Sequence, residues 1–285
     1  KSVDAGLNVL ADKPMAIDAA GFSLLKDAFA QAKKNNVLLY DIMTERYEIS
    51  NALQRELALL PELFGTLQKG TPQDPAVTKE SVHHFFKYVS GEPLIRPSWF
   101  FDVNQQGEGI VDVTTHLVDL IQWSCFPNQV INYQKDIKFL SATHNATTLT
   151  PEQFKLVTKS DSYPDYLRKD VKGNNLEVYA NGQIDYTLKG VHARASVIWN
   201  FQAPQGTGDT HYSIMKGSKA NLIIRQGKEQ NFKPVLYIEP LNATPAYEKA
   251  VAEAFKKAQA AYPGIELKKN DKGWEVTVPK KYDTG

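Results

Sequence analysis

The sequence predicts an α/β unit followed by a larger α+β domain. A strand, a helix and a second strand follow one another in residues 7–42, an order that predicts two parallel strands. Beyond residue 125 the chain consists mainly of strands joined by short turns, a pattern typical of an antiparallel sheet. We therefore expect a short parallel sheet in residues 1–42. Residues 43–285 are expected to form a large, open, mostly antiparallel sheet that helices cover on one face.

The composition excludes several classes of protein. A net charge of +1 over 285 residues argues against binding to nucleic acid or to a polyanionic membrane surface. No apolar run approaches the roughly 20 residues that span a membrane. Cys125 is the single cysteine, which excludes an intramolecular disulfide and a cysteine-based zinc site. We expect it to be a small, buried apolar residue.

The first unit begins with the apolar stretch Leu7–Ala11, which predicts a strand. Asp18 is a suitable cap for a helix that the pair Asn35-Asn36 ends. The residues expected on the core face of this helix are Phe22, Leu25, Phe29 and Ala32. Val37–Ile42 is a continuous apolar run, which predicts a strand buried on both faces.

The chain after residue 42 changes character, and we place the domain boundary near Ile42–Thr44. A short helix is expected to begin at Ser50 and to end at Pro61. Val77–Val89 fits either a strand or a helix by periodicity, and its aromatic content favours a strand.

Gly109–Trp123 predicts a helix with two stripes. The apolar residues at the spacing of a buried face are Val113, Leu117, Leu120 and Ile121. The residues one position earlier on each turn are Asp112, His116 and Asp119. Their side chains therefore lie along one flank of the apolar face. Two carboxylates and an imidazole are thereby brought to the edge of a core. The alternative is an ordinary amphipathic helix with a capping Asp and a hydrogen-bonded His.

The C-terminal strands are predicted from alternation and turn residues. Asn181-Gly182 is the strongest hairpin signal in the chain and is expected to join two strands. Val191–Phe201 alternates, with its apolar residues on one face. Thr244 is expected to cap a helix that begins with Pro245 and ends at Pro263-Gly264. The other predicted strands are His211–Met215, Asn221–Arg225, Val235–Glu239, Ile265–Leu267 and Trp274–Val278.

Three segments occur in an order that resembles one enzyme family. Leu7–Ala16 (LNVLADKPMA) is a hydrophobic strand followed by an acidic residue, Lys and Pro. Arg46-Tyr47 is an Arg–aromatic pair just after the second strand. Asp112-x-x-x-His116 is followed three residues later by Asp119. Together they resemble the glucose–fructose oxidoreductase / inositol dehydrogenase (Gfo/Idh/MocA) family. Gly217–Pro240 resembles a subgroup of oxidoreductases with a distinctive C-terminal domain.

The resemblance implies a fold and an activity. Residues 1–42 would be the C-terminal remnant of a Rossmann-type dinucleotide-binding domain, and residues 43–285 a domain for substrate binding and oligomerisation. Members of the family mostly move a hydride between NAD or NADP and a sugar, an inositol or a related polyol. The protein orients the substrate and handles its proton.

The resemblance also implies residue roles. Lys13 would hydrogen-bond the reacting oxygen beside the nicotinamide, and Asp12 and Pro14 would flank it at the cofactor. His116 would be the general acid/base, since its ordinary pKa suits proton exchange near neutrality. Asp112 would bind substrate hydroxyls or fix the imidazole.

Four further residues are candidates for contacts with the sugar, each with a structural alternative. Asp119 is expected either in a salt bridge or in a hydroxyl contact at the rim of the site. Arg46 and Tyr47 either line the sugar pocket or belong to a packed ion pair. Trp99 either stacks on a pyranose face or packs in the core.

Two departures from the family pattern limit the cofactor site. Asp12 stands where the family has Glu, and the glycine-rich phosphate turn is absent, since Gly107-x-Gly109 and Gly206-x-Gly208 lack the third glycine and a preceding parallel strand. The pyrophosphate site is therefore incomplete. Because Lys1–Gly6 also resembles the last turn of a helix, we expect the chain to be a fragment of a longer gene product. The choice of NAD or NADP and the compartment stay open, with cytoplasmic as the family default and export as the alternative.

The same residues are compatible with other functions. An NAD-dependent glycosidase would use Lys13 and His116 without net cofactor turnover, and a non-catalytic carbohydrate-binding protein would keep the pocket alone. No metal site is expected, because no second histidine falls at ligand spacing on the central helix. His83 and His84 are expected to point to opposite faces of a strand. An open sheet face favours a homodimer or homotetramer.

Overall fold

The computed structural model describes residues 1–89 and 91–282. Its strands are β1 Val9–Ala11, β2 Leu39–Asp41, β3 Val77–Phe86, β4 Tyr88–Val89, β5 Glu92–Pro93, β6 Ile137–Leu149, β7 Val171–Lys172, β8 Asn175–Leu188, β9 Val191–Gln202, β10 Thr210–Lys216, β11 Ala220–Gln226, β12 Val235–Pro240, β13 Glu266–Asn270 and β14 Gly273–Thr277. Its α-helices are α1 Ala19–Asn35, α2 Ile49–Ala58, α3 Val103–Gln106, α4 Gly109–Asp112, α5 Thr114–Cys125, α6 Pro151–Thr158 and α7 Pro245–Ala261.

The first unit is the predicted strand–helix–strand. β1 and β2 pair in parallel, and α1 connects them. The side chain of Asp18 accepts a hydrogen bond from the backbone N–H of Gly21 at 2.6 Å, and Asn36 ends the helix in the left-handed conformation. Both capping predictions are confirmed.

Two predictions about burial in this unit are wrong. Phe22 and Phe29, expected on the core face of α1, are exposed, and so are Leu38 and Tyr40 in the segment expected to be buried on both faces. The reason lies in the sheet, since among the described residues β2 pairs with β1 alone. A two-stranded sheet offers little surface against which these side chains can be buried.

The large sheet is open and mostly antiparallel, as predicted. Its strands lie in the order β13-β14-β12-β11-β10-β3-β9-β8-β6, with β7 pairing beside β8. β3 and β9 are parallel, and the other pairs in this sheet are antiparallel. β10 and β11 match the predicted strands His211–Met215 and Asn221–Arg225 and form a hairpin, and β3 confirms the strand assignment over residues 77–86.

Helices pack on one face of this sheet. α2, α5 and α7 each contribute apolar side chains to the main core against β9, β11 and β12. The buried helical residues of that core are Leu53, Leu57, Leu117, Ile121, Val251, Ala254, Phe255 and Ala258. The apolar face predicted for the central helix is confirmed. Within the described residues no helix is long and apolar enough to cross a membrane.

The predicted hairpin at Asn181-Gly182 is wrong, because β8 runs through both residues without turning. The Asn181 side chain accepts a hydrogen bond from the backbone N–H of Trp199 at 2.7 Å and donates to Thr147 Oγ1 at 2.9 Å. Asn181 therefore ties β8 to both neighbouring strands next to an irregularity in β6. Gly182 is needed for space, since a Cβ there would lie 2.9 Å from the Ile110 side chain.

Candidate active site

A close approach of backbones sets the position of the central helical segment. A Cβ on Gly109 would lie 1.7 Å from the carbonyl oxygen of Ala180, so only glycine lets α4 sit against β8 at this distance. The helix predicted at Gly109–Trp123 is present as two segments, α4 and α5. The segments meet at Val113, whose own dihedral angles are helical. Asp112 ends α4 and His116 lies in the first turn of α5, as the predicted polar flank requires.

Lys13 reaches Asp112 across 99 residues of sequence. β1 ends at Ala11, and the following Asp12 accepts a hydrogen bond from the backbone N–H of Lys13 at 2.8 Å. Lys13 Nζ then donates to Asp112 Oδ1 at 2.6 Å, and Asp112 is only 7% exposed. Pro14 follows through a cis peptide bond. A buried carboxylate and a partly buried ammonium thus compensate each other at the edge of the core.

His116 lies one turn after Asp112 and has an unsatisfied nitrogen. Its Nδ1 is buried and has no hydrogen-bond partner among the described residues. Burial lowers the pKa of His116, and Lys13 acts in the same direction, whereas Asp112, Asp119 and Asp12 oppose the shift. The imidazole is therefore largely neutral at pH 7 and is able to accept a proton.

One cavity of about 700 Å³ brings five of the predicted residues together: Asp12, Lys13, Trp99, Asp112 and His116 line it. Trp99 is half-exposed at the cavity wall, not packed in the core. This volume is ample for a small sugar.

Arg46, Tyr47 and Asp119 lie elsewhere. Arg46 donates to both carboxylate oxygens of Asp119, Nε to Oδ2 at 2.7 Å and Nη2 to Oδ1 at 2.5 Å, which raises the pKa of Arg46. Arg46 and Tyr47 line a separate cavity of about 500 Å³. The structure therefore places Arg46 and Asp119 in the ion pair that we considered as the alternative, and Tyr47 is 74% exposed.

A second charged cluster in the main cavity was missed in the sequence. His83 Nδ1 lies 3.3 Å and His84 Nδ1 2.8 Å from the carboxylate of Asp209, to which Lys87 Nζ donates at 2.5 Å. Burial would raise the pKa of Asp209, but hydrogen bonds from His83, Lys87 and His84 hold it well below its ordinary value.

The expectation that His83 and His84 face opposite sides of a strand is wrong, since both reach one carboxylate. The alternation of buried and exposed side chains breaks at this end of β3, since the consecutive residues Phe85 and Phe86 are both buried. The adjacent histidines were a visible signal, but Asp209 follows a loop and has no periodic pattern to mark it.

Arginine and aromatic rings form another wall of the cavity. The Arg96 guanidinium lies 4.4 Å from the ring centre of Phe100 and 5.1 Å from that of Trp199, and its Nε donates to the Phe85 carbonyl at 2.9 Å. His83 stacks on Trp199 at 4.9 Å. Flat rings next to hydrogen-bonding groups are a surface suited to the C–H face and hydroxyls of a sugar.

The reactive groups of the cavity would suit the reacting end of a nicotinamide cofactor, but no residues suit its pyrophosphate within the described part of the chain. Lys13 and the unpartnered His116 are polar groups of the kind that a reacting oxygen and its proton require. The described residues offer no glycine-rich turn for a pyrophosphate, since β1 leads into Asp12-Lys13-Pro14 and β2 into Ile42-Met43-Thr44. Nor do they contain a group of three His, Cys, Asp or Glu side chains arranged to hold a metal ion.

Comparisons with known proteins give one family match and several similar structures. Residues 53–285 match the family model described as "Putative oxidoreductase C terminal domain". A solved structure described as a putative oxidoreductase from Parabacteroides merdae shares 55% identity, with a TM-score of 0.97 over 100% of this chain. The chain spans 65% of the length of that protein. No curated protein matched the chain.

More distant structures share the fold. A structure described as a putative oxidoreductase from Thermotoga maritima is 15% identical, with a TM-score of 0.53 over 90% of this chain and 64% of that one. A levoglucosan dehydrogenase in complex with NADH and levoglucosan is 13% identical, with a TM-score of 0.53 over 98% of this chain and 56% of that one. At these identities the likeness shows the fold alone.

Proposed function

We propose a function that starts from the family of this chain. The chain belongs to the family described as the putative oxidoreductase C-terminal domain, which is the C-terminal domain of Gfo/Idh/MocA-type oxidoreductases. The protein transfers a hydride between a nicotinamide cofactor, NAD or NADP, and a sugar, inositol or related polyol. The observation that carries this proposal is the Lys13–Asp112 ion pair beside His116 in one cavity.

Lys13 orients the reacting oxygen of the substrate. Its ammonium has three donors, of which one is held by Asp112, and this leaves donors for a hydroxyl or carbonyl oxygen. A donor aimed at an oxygen that gains negative charge stabilises the transition state more than the ground state. Asp112 is a positioning residue for Lys13, because it fixes where the ammonium lies.

His116 accepts the hydroxyl proton when the substrate is oxidised and returns it in the reverse direction. The lowered pKa keeps the imidazole neutral and ready to act as a base. When bound, the nicotinamide supplies the hydride acceptor, and Asp12, Lys13 and Pro14 are the residues proposed to contact it. Trp99 is proposed to contact the substrate through its ring. The substrate contacts predicted for Arg46, Tyr47 and Asp119 stay predictions.

Support for a sugar or polyol comes from three sources. The aromatic wall and the polar groups of the cavity suit a polyhydroxylated ring. The sequence resembles a family that acts mostly on such molecules. One protein of the same fold was solved with NADH and levoglucosan.

Reduction of NAD and NADP by the natural protein that contains this chain tests the proposal. A panel of sugars, sugar acids, amino sugars and inositols serves as substrates, and nicotinamide absorbance is the readout. We expect cofactor reduction with a subset of the panel. Lys13→Met should slow it by about 10²-fold or more, as for loss of one oxyanion donor. Lys257→Met is the matched control, since Lys257 lies on the surface 4.0 Å from Glu62.

Other outcomes identify other functions. Aglycone release from a glycoside without net cofactor reduction would favour a glycosidase. Sugar binding by a protein that binds no nicotinamide would favour a non-catalytic carbohydrate-binding protein. Equal rates in wild type and Lys13→Met would contradict the role of Lys13.

A further inference from the structure

The lining of the main cavity includes buried hydrogen-bond acceptors without partners among the described residues. Asn51 is 5% exposed, and its Oδ1 makes no hydrogen bond among the described residues. His211 Nε2 is likewise buried and unpartnered, and both residues line the cavity. Buried polar atoms in folded proteins are nearly always paired, so atoms left unpaired in a cavity indicate groups that a ligand satisfies.

His211 is an acceptor at neutral pH. Burial lowers its pKa to about 3, Lys79 and His83 act in the same direction, and a hydrogen bond with the backbone of Glu80 opposes the shift. The ring is therefore neutral. Because its Nε2 is the unpartnered nitrogen, the hydrogen bond to Glu80 involves the other nitrogen, which leaves the Nε2 lone pair for a donor.

Glu45 adds a carboxylate without a counter-ion. It lies on the short 3-10 helix Thr44–Tyr47, lines the cavity and makes no hydrogen bond or ion pair within the described part of the chain. Glu48 differs, because its two carboxylate oxygens accept from the backbone N–H groups of Ser50 and Asn51 at the start of α2. Of the two, only Glu45 is free to bind a ligand.

The local charge is unbalanced. Lys79 is fully buried and donates to Gln54 Oε1 at 3.0 Å and Ser213 Oγ at 2.8 Å, with no carboxylate in contact. Lys13, the other lysine whose charge acts on Glu45, is already paired with Asp112. Burial and the neighbouring Glu48 raise the pKa of Glu45, and His83, Lys13 and Lys79 oppose the shift.

We propose that Glu45, Asn51 and His211 form a subsite, here called the acceptor subsite, that binds a primary ammonium group of the substrate. An ammonium supplies three N–H donors for three acceptors and the positive charge that the site lacks, whereas a hydroxyl supplies one donor and no charge. The substrate class is then an amino sugar or an amino polyol. This inference rests on the proposed function only in taking the ligand to be the substrate.

The subsite belongs to the same cavity as the reacting groups. Lys13 and His83 both lower the pKa of Glu45, so both side chains lie within electrostatic reach of it. A substrate held at its amino group by the acceptor subsite therefore presents another carbon to Lys13 and His116. The amino group is a recognition element and takes no part in hydride transfer.

Calorimetric titration of the natural protein without cofactor tests the subsite. The probes are D-glucosamine, D-glucose and N-acetyl-D-glucosamine, at a pH below the pKa of the glucosamine amine. We expect D-glucosamine to bind at least about tenfold more tightly than the two neutral sugars, the factor that one charge-assisted hydrogen bond supplies. Equal or weaker binding of D-glucosamine, or no binding of it, overturns the proposal.

Two variants locate the effect. Glu45→Gln keeps the size of the side chain and removes its charge, so it should remove the preference for D-glucosamine over D-glucose. Glu239→Gln is the control, because Glu239 pairs with Arg225 elsewhere on the sheet. An unchanged preference in Glu45→Gln overturns the assignment. Since no nicotinamide is present, amine binding in a protein that never reduces the cofactor would refute the proposed function alone.

Discussion

His116 is the residue on which the proposed chemistry depends most, and its surroundings predict a pH profile. Burial and Lys13 lower its pKa below the ordinary 6.5, so the neutral base persists into mildly acidic solution. The rate of substrate oxidation should fall on the acid side with an apparent pKa below 6.5. Stopped-flow rates of nicotinamide reduction against pH measure it. An acid limb above 6.5 would contradict the assignment.

The Glu45 carboxylate should lower the free energy of unfolding at neutral pH while it serves to bind the proposed ammonium group. Its raised pKa means that the folded chain holds this proton more tightly than the unfolded chain does. Folding is therefore favoured as pH falls through the raised pKa and penalised as pH rises above it, by about 1.4 kcal/mol per unit of elevation.

Glu45→Gln stays neutral and escapes this penalty. The variant should unfold at a higher temperature than wild type at pH 7, and the difference should vanish below the ordinary pKa of 4.5. Differential scanning calorimetry at both pH values measures it. A less stable variant at pH 7 would show that the carboxylate is already compensated.

At the residue scale the sequence predicted side chains that follow a pattern. Asp112 and His116 were found from helical spacing, and Lys13 from its place after a strand. Glu45, Asp209 and Asn51 were missed because burial and loop placement bring them to the cavity, and neither leaves a period in the sequence.

Among the elements, α4 shows most clearly how packing positions the site. Gly109→Ala would place a methyl group within 1.7 Å of the Ala180 carbonyl oxygen, so α4 must shift away from β8. Such overpacking costs typically about 1–3 kcal/mol. We expect a clear loss of stability in chemical denaturation.

Gly227→Ala is the matched control for this loss. Gly227 has an extended backbone, and a Cβ there would meet only Gln230 at 3.6 Å. Its change in stability should stay within about 0.5 kcal/mol. Equal stability of the two variants would mean that α4 and β8 are not as closely packed as described.

Two of the errors at element scale arise from tertiary contacts that local sequence patterns do not report. The Asn181-Gly182 pair is a turn signal locally, yet tertiary contacts with Trp199 and Ile110 use both residues inside β8. Periodicity likewise does not predict that the apolar face of α1 is exposed, because it shows that a face is apolar but not whether another element covers it.

For the whole molecule, the order of elements predicted the architecture. Strand–helix–strand followed by many short strands was sufficient for the parallel pair and the open antiparallel sheet. The parallel pairing of β3 with β9 was not predictable, because residues far apart in sequence decide it. The division at residues 42 and 43 stays a prediction.

The predicted homo-oligomer belongs to this scale. β6 is the outer strand of the large sheet and exposes Phe139 by 69%, with Val130 and Tyr133 exposed before it. Exposed apolar groups at or near a sheet edge favour association. Light scattering of the natural protein should give a dimer or tetramer, and Phe139→Glu should shift it to a smaller species. A monomeric wild type would refute the prediction.

Single-turnover nicotinamide reduction in His116→Gln tests the proposed acid/base centre. We expect a rate about 10²- to 10⁴-fold below wild type, the usual contribution of a general base. His144→Gln is the control, since His144 is exposed and pairs with Glu108 outside the cavity; it should keep the wild-type rate. A wild-type rate in His116→Gln would contradict the proposed acid/base centre.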